Sequence, residues 1–523
     1  MVEGGEERRW WEGRAFALAL VLVSAIPLIL PEVPPLVDLP GHMARYRVEL
    51  EIGQSAALQS FYSFHWSLIG NLGLDLLVIP LSKLIGLEAA VKLIVLSIPV
   101  MTTFGCLWIA REVHGKLPPT AAFALPFAYN YPFFFGFVNF ALSMAFAFLA
   151  FGLWLRLARL GRLRTRAAVF ILLAPLIWVT HTFGWGTLGV MAFSAELVRQ
   201  YDKGRNLAVS AFRSGIHCLS IAPPLLLMLA WRSGSHVGGH TADWFNWEKK
   251  WDYLIMALRD RWELFDLISL GLIGLLLAVV LFHRRLEYSR NLLASALFLA
   301  AVYIFLPRIV FGSAYADMRL VPYMIAVAVV GIRLRPNAGK RLAQALAIAA
   351  LAFFLVRTAA TTTSVWLYDR DYDRELQALN HVPREARLYS AVGRSCEDVW
   401  AMSRMEHMPG LATVRRRAFS NDQWSMPGAQ LLSVHYPSSN RRFIGDPSQM
   451  VTPERCAGEY WMPINYALAN LPRDSFDYVW LIRPPAYDPR LTVGLKPIWR
   501  SGSSVLYAVA DRRQLVTAPE ENK

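Results

Sequence analysis

Between residues 15 and 362 apolar runs of about 17–25 residues alternate with short polar connections, and from residue 363 onward the long runs stop. A helix rises 1.5 Å per residue, so each run reaches across a hydrocarbon core about 30 Å thick. Spans are predicted near 15–30, 88–110, 119–135, 139–158, 167–181, 184–199, 207–230, 264–283, 291–306, 320–332 and 342–362. The pattern predicts a polytopic α-helical membrane protein with about eleven transmembrane helices, 1–362, whose first outer loop covers 31–87. In 363–523, Pro-bounded runs of strand length such as "FDYVWLI" (476–482) and "SVLYAVA" (504–510) predict a C-terminal soluble α/β domain.

Composition agrees: 55% of residues are hydrophobic and 18% charged, where soluble domains carry roughly 25% charged. The net charge of +14 raises nucleic acid as a partner, but Lys and Arg sit in the short connections, as topogenic charge does, and no nucleic acid is expected. With the N-terminus inside, Arg14, Arg111, Lys116, Arg159, Arg162 and the later basic loops are cytoplasmic, and both 31–87 and 363–523 lie outside. The first run lacks a small-residue cleavage pattern and is read as an uncleaved span. Counting "NLGLDLLVIPLSKLIG" (71–86) as a span would invert every later basic loop, so it is read as a helix at the outer surface; a hairpin with 88–110 is the other reading. Outside, Cys396 and Cys456 would meet an oxidising compartment and could pair, whereas Cys106 and Cys218 read as packing residues within spans.

Candidate chemistry gathers in the outer loops. "PLVDLPGHMARYR" (35–47) puts Asp38 at a helix start, with His42, Arg45 and Glu49 following on one face at spacings of four, three and four. Asp38 reads either as a helix N-cap or as a proton acceptor for a bound hydroxyl, and Arg47 as surface charge. "THTFGWG" (180–186) contributes His181, and "PRIVFGSAYADMRLVPY" (307–323) contributes Arg308, Asp317 and Arg319; interfacial roles are the plain alternative for His181, Arg308 and Arg319. His236, His240 and Asp243 have zinc-like spacing only if helical, and the glycines among them favour a loop, so no metal site is predicted.

An acid in the first outer loop just after span one, a surface helix behind it, about eleven spans and an outer C-terminal domain together resemble the GT-C superfamily of membrane glycosyltransferases. Within it the chain looks most like the bacterial group of protein O-mannosyltransferases and lipid A aminoarabinose transferases. The resemblance covers the whole chain in architecture and only short motifs in sequence. It implies transfer of a sugar from a polyprenyl-phosphate carrier to a glycan, lipid or protein acceptor outside the bacterial inner membrane, with inversion; it leaves a divalent metal open as a cofactor, though the residues do not indicate one. Carried over by position, Asp38 is the catalytic base, and "YADMRLVPY" (315–323) resembles the Arg-containing start of a late span. His42, Arg45, His181, Arg308, Asp317 and Arg319 are the substrate-binding candidates, because guanidiniums suit a departing phosphate. Two departures stand out: Leu-Pro-Gly-His rather than a second acid follows Asp38, so a divalent metal is not indicated, and Asn139 occupies the place of the usual acid in the second short outer loop. A lipid or oligosaccharide transporter or flippase is the rival reading, weakened by the scarcity of mid-span charge. An oligosaccharide polymerase or ligase would gather its polar residues in one large mid-chain loop, whereas here they are distributed.

Overall fold

Most of the apolar runs fold as helices. The computed structural model describes residues 9–232, 240–397, 399–437, 449–457 and 461–515. Among these, five helices are long and apolar enough to cross a membrane: Leu87–His114, Val138–Arg159, Leu163–Thr180, Glu263–Phe282 and Lys340–His381. A sixth is added if Leu207–Ile221 and Pro224–Ala230, bent by 64° at their break, count as one span. The other five predicted runs take different forms. Arg14–Leu28, Arg290–Phe305 and Met318–Val330 are shorter apolar helices. Thr182–Tyr201 has 20 residues but carries Glu196 and Arg199. The run near 119–135 is a 3-10 stretch, Ala121–Tyr129, interrupted by Pro126, and a short helix, Tyr131–Phe135, that stops at Gly136 with φ 97°.

The chain divides into two compact units. The first comprises 1–30, 68–77 and 92–364. Its centre is Val138–Arg159, whose most apolar window is 78% buried, packed on Thr182–Tyr201, which in turn packs on Arg290–Phe305. A Cβ at Gly184 would lie 2.5 Å from the Ser143 carbonyl oxygen, so only glycine permits this closeness. Glu263–Phe282 is at the other extreme: 22% of its window is buried, and Leu264, Leu272, Leu275 and Phe282 are exposed, a surface suited to lipid. Three buried charge pairs in this unit are Arg166 with Glu196 (3.1 Å), Arg357 with Asp266 (2.6 Å) and Lys250 with Asp317 (2.9 Å). Asn139 anchors the segment before residue 75, accepting from the Leu74 N–H (2.6 Å) and donating to the Asn71 carbonyl (2.9 Å) and Asp75 (3.1 Å). The helix that follows, Gly73–Ile85, has 13 residues. It therefore extends only about 20 Å, short of a full crossing.

The second unit comprises 31–67, 78–91 and 365–523. Its described part holds a seven-stranded sheet in the order Leu495–Ser501, Ser504–Val509, Tyr478–Ile482, Arg387–Gly393, Met450–Thr452 and Met462–Pro463, with Phe419–Ser420 also beside Arg387–Gly393. The first three strands are antiparallel neighbours and the rest pair in parallel. The two predicted apolar runs are thus adjacent strands, with Val505 opposite Leu481 and Tyr507 opposite Val479. The first polar loop supplies part of the same core: Val48, Leu58 and Tyr62 are buried with Tyr389, Phe419, Val479 and Leu481. Tyr62–Phe64 also pairs antiparallel with Leu432–Val434. Cys396 and Cys456 form a disulfide across a Cα separation of 5.2 Å. Arg415 donates to both oxygens of Glu88 (3.2 and 2.7 Å) and lies 3.4 Å from Glu32.

Candidate functional site

"DLPGHMARYR" opens the helix Leu39–Glu51 as expected, with Pro40 in its first turn. Asp38 takes the N-cap position, but its carboxyl makes no capping hydrogen bond. It turns instead to an imidazole, with His407 Nε2 3.9 Å from Asp38 Oδ1. On the far side of the same ring, His407 Nδ1 is 3.8 Å from Asp422 Oδ2. One histidine thus stands between two acids, all within the second unit.

Two glycines make this approach possible. A Cβ at Gly410 would lie 2.8 Å from the Pro40 carbonyl oxygen and 3.0 Å from Asp422 Oδ2. At Gly41 it would meet the Trp424 ring at 2.9 Å. The first turn of Leu39–Glu51 therefore rests directly on the Met408–Gly410 turn, with the Trp424 indole over both histidines, 4.7 Å from the His407 ring and 5.9 Å from that of His42.

The electrostatics separate the two histidines. Burial alone would lower His407, but the adjacent Asp422 and Asp38 carboxyls outweigh it and raise its pKa to about 9; at 3.8–3.9 Å they act as nearby charges rather than as hydrogen-bond acceptors. Burial pushes His42 well below its ordinary value, and the positive charges of Arg45 and His407 add to that. His407 is thus cationic and His42 neutral at pH 7. Asp422 is fully buried, and among the described residues neither of its carboxyl oxygens, nor His407 Nδ1, has a hydrogen-bond partner. Chemically, the arrangement offers a carboxyl on a helix start, a cation fixed beside it and an aromatic wall.

Arg45 is buried, with its guanidinium 5.1 Å from the Tyr46 ring centre. Arg47 does more than decorate the surface: it pairs with Glu51, which Arg417 also contacts. Sequence reasoning did not find His407, Asp422 or Trp424. Their segments, "RMEHMPG" (404–410) and "NDQWSMPG" (421–428), share a Met-Pro-Gly turn after a polar and aromatic cluster, a signal visible in the sequence though silent about pairing.

His181, Arg308, Asp317 and Arg319 belong to the first unit. Arg319 lies over the rings of Phe137 (4.2 Å), Phe183 (5.7 Å) and Phe140 (5.8 Å), and His181 packs edge-on against Phe140 at 5.7 Å. His181 also caps Thr182–Tyr201, its Nδ1 accepting from the Phe183 N–H at 3.2 Å. Arg308 donates to the Tyr253 hydroxyl (2.9 Å) and to Asp243 (3.2 Å). Asp317 holds Lys250 in a buried pair and accepts the Met318 N–H at 3.0 Å, which gives its carboxyl a structural task. Among the described residues no group of three His, Cys, Asp or Glu side chains suits a metal ion. His236 lies outside the described residues, and Asp243 is engaged by Arg308 and Asn246. Compared with known proteins, the chain matches no family model and no curated protein.

Proposed function

We propose that the protein is a GT-C-like membrane glycosyltransferase with Asp38 as its base. The observation that supports this most is the placement of Asp38 on a helix start 3.9 Å from His407, itself backed by the buried Asp422. In this reading the acceptor hydroxyl oxygen attacks the anomeric carbon, the bond from that carbon to the phosphate oxygen breaks, and the hydroxyl proton passes to Asp38. Polyprenyl phosphate leaves and the configuration inverts. The His407 cation keeps the Asp38 carboxylate oriented, and positioned acid–base groups of this sort contribute about 10²–10⁴-fold. The Trp424 face is a platform for a sugar ring.

The phosphate role of Arg308 and Arg319 is a property of the helical unit, tested by binding of the donor lipid rather than by turnover. In the same proposal the shorter apolar helices join the long ones to give eleven spans in a bacterial inner membrane, N-terminus cytoplasmic and residues 363–523 periplasmic. The Cys396–Cys456 disulfide supports that side, since such bonds persist in oxidising compartments.

One observation favours the rival reading: the 64° break between Leu207–Ile221 and Pro224–Ala230 is the kind of interrupted helix that transporters use. The full-length protein in liposomes, given polyprenyl-phosphate sugars extracted from the native membrane, separates the two. A glycosyltransferase consumes the donor and releases polyprenyl phosphate when acceptor is present, whereas a flippase moves the donor across the bilayer and leaves it intact. Surface glycans compared with and without the gene then identify the acceptor.

A further inference from the structure

Away from the Asp38 cluster, the helical unit contains a cavity of about 950 Å3 between Arg14–Val23, the C-terminal half of Leu87–His114 and the end of Val138–Arg159. That volume is at the upper end of the range for ligand pockets. Its wall is apolar, built by Ala17, Leu18, Phe104, Leu107 and Trp108, with Leu18 and Phe104 exposed. Its rim is basic, with Arg14, Arg111, Arg156 and Arg159 converging from three elements.

The rim charge is only partly neutralised. Glu112 is buried and accepts from Arg159 Nε and Nη2 (3.0 and 2.7 Å), while Arg156 stands 3.6 Å from it. Among the described residues no carboxylate pairs with Arg14 or Arg111. Four guanidiniums against one acid leave a net charge of three on the rim. An apolar slot with an unbalanced guanidinium rim matches a molecule that is aliphatic at one end and anionic at the other. Soluble anions lack the aliphatic part, and neutral lipids lack the charge.

We propose that this cavity is a binding site for an anionic diacylglycerophospholipid, with its phosphate at Arg14 and Arg111 and one acyl chain along Leu18, Phe104 and Leu107. Glu112 ties Arg159 to Trp108 within the lining, the Trp108 indole N–H donating to Glu112 at 3.2 Å. The site lies wholly in the first unit and does not depend on the reaction assigned to Asp38.

The test is native mass spectrometry of the full chain, delipidated in detergent and offered dioleoyl phosphatidylglycerol, dioleoyl phosphatidylcholine or glycerol phosphate. The wild type retains one phosphatidylglycerol in preference to phosphatidylcholine and no glycerol phosphate. At about 1 kcal/mol per basic residue near a lipid surface, Arg14→Gln/Arg111→Gln lowers that retention by about tenfold or more. Arg162→Gln/Arg164→Gln removes equal charge from residues outside the cavity wall and leaves retention unchanged. Ala17→Phe, which keeps all four arginines but fills the slot, also loses the lipid, and serves as the deciding variant if the arginine variant loses its helical circular dichroism. Equal retention of both lipids, loss in the Arg162/Arg164 control, retention by Ala17→Phe, or saturable binding of glycerol phosphate alone would each overturn the proposal.

Discussion

At the scale of single residues, the imidazole between Asp38 and Asp422 has consequences that titration can read. The folded-state pKa of His407 is raised to about 9 against an ordinary value near 6.5. The sign follows from proton linkage: the folded chain holds this proton more tightly than the unfolded one. The contribution to stability is therefore complete below about pH 6.5 and lost as pH rises through about 9. Thermal melting of the full-length protein between pH 6 and 10 should fall across that window, and His407→Gln should flatten that part of the profile. Of the cluster, only the Asp38 side was legible in the sequence, because an acid before Leu-Pro-Gly advertises a helix start by its own neighbours. His407 and Asp422 lie more than three hundred residues further on, and nothing in a local pattern ties them to it.

At the scale of elements, the site depends on a contact between two backbones. The first turn of Leu39–Glu51 meets Met408–Gly410 with no room for a side chain at Gly410. Gly410→Val should cost about 1–3 kcal/mol in unfolding free energy, the usual penalty for overpacking, measured by denaturant titration. Gly410→Ala is the milder version and should reduce turnover more than stability, since it moves the Asp38 end of the helix against Asp422. The long helices were legible because each carries its own apolar pattern over 18 residues or more. The run near 119–135 reads as one helix from composition alone, because hydropathy does not register Pro126 within its 3-10 stretch or Gly136 at the end of the short helix that follows. Tyr62–Phe64 was missed for the opposite reason: three residues hold too little alternation to declare a strand, and its partner Leu432–Val434 is supplied by a distant part of the chain.

At the scale of the whole molecule, the segment 31–67 is built into the same compact unit as 365–523. The polar residues of 31–67 therefore belong to the unit that also holds the sheet and the disulfide. Cys396→Ser opens a loop with a sequence separation of 60 residues and should destabilise that unit by about 2–4 kcal/mol, seen as a lower melting temperature that reductant reproduces in the wild type. The central claim is that Asp38 takes the proton in sugar transfer, and its most direct test is turnover by Asp38→Asn in liposomes containing extracted polyprenyl-phosphate sugars and acceptor. The substitution keeps the size and helix-start position of the side chain and removes its basicity. The account predicts a loss of transfer of about 10²-fold or more with melting temperature and donor-lipid binding retained. Wild-type turnover by Asp38→Asn would contradict it and return Asp38 to an ordinary helix start.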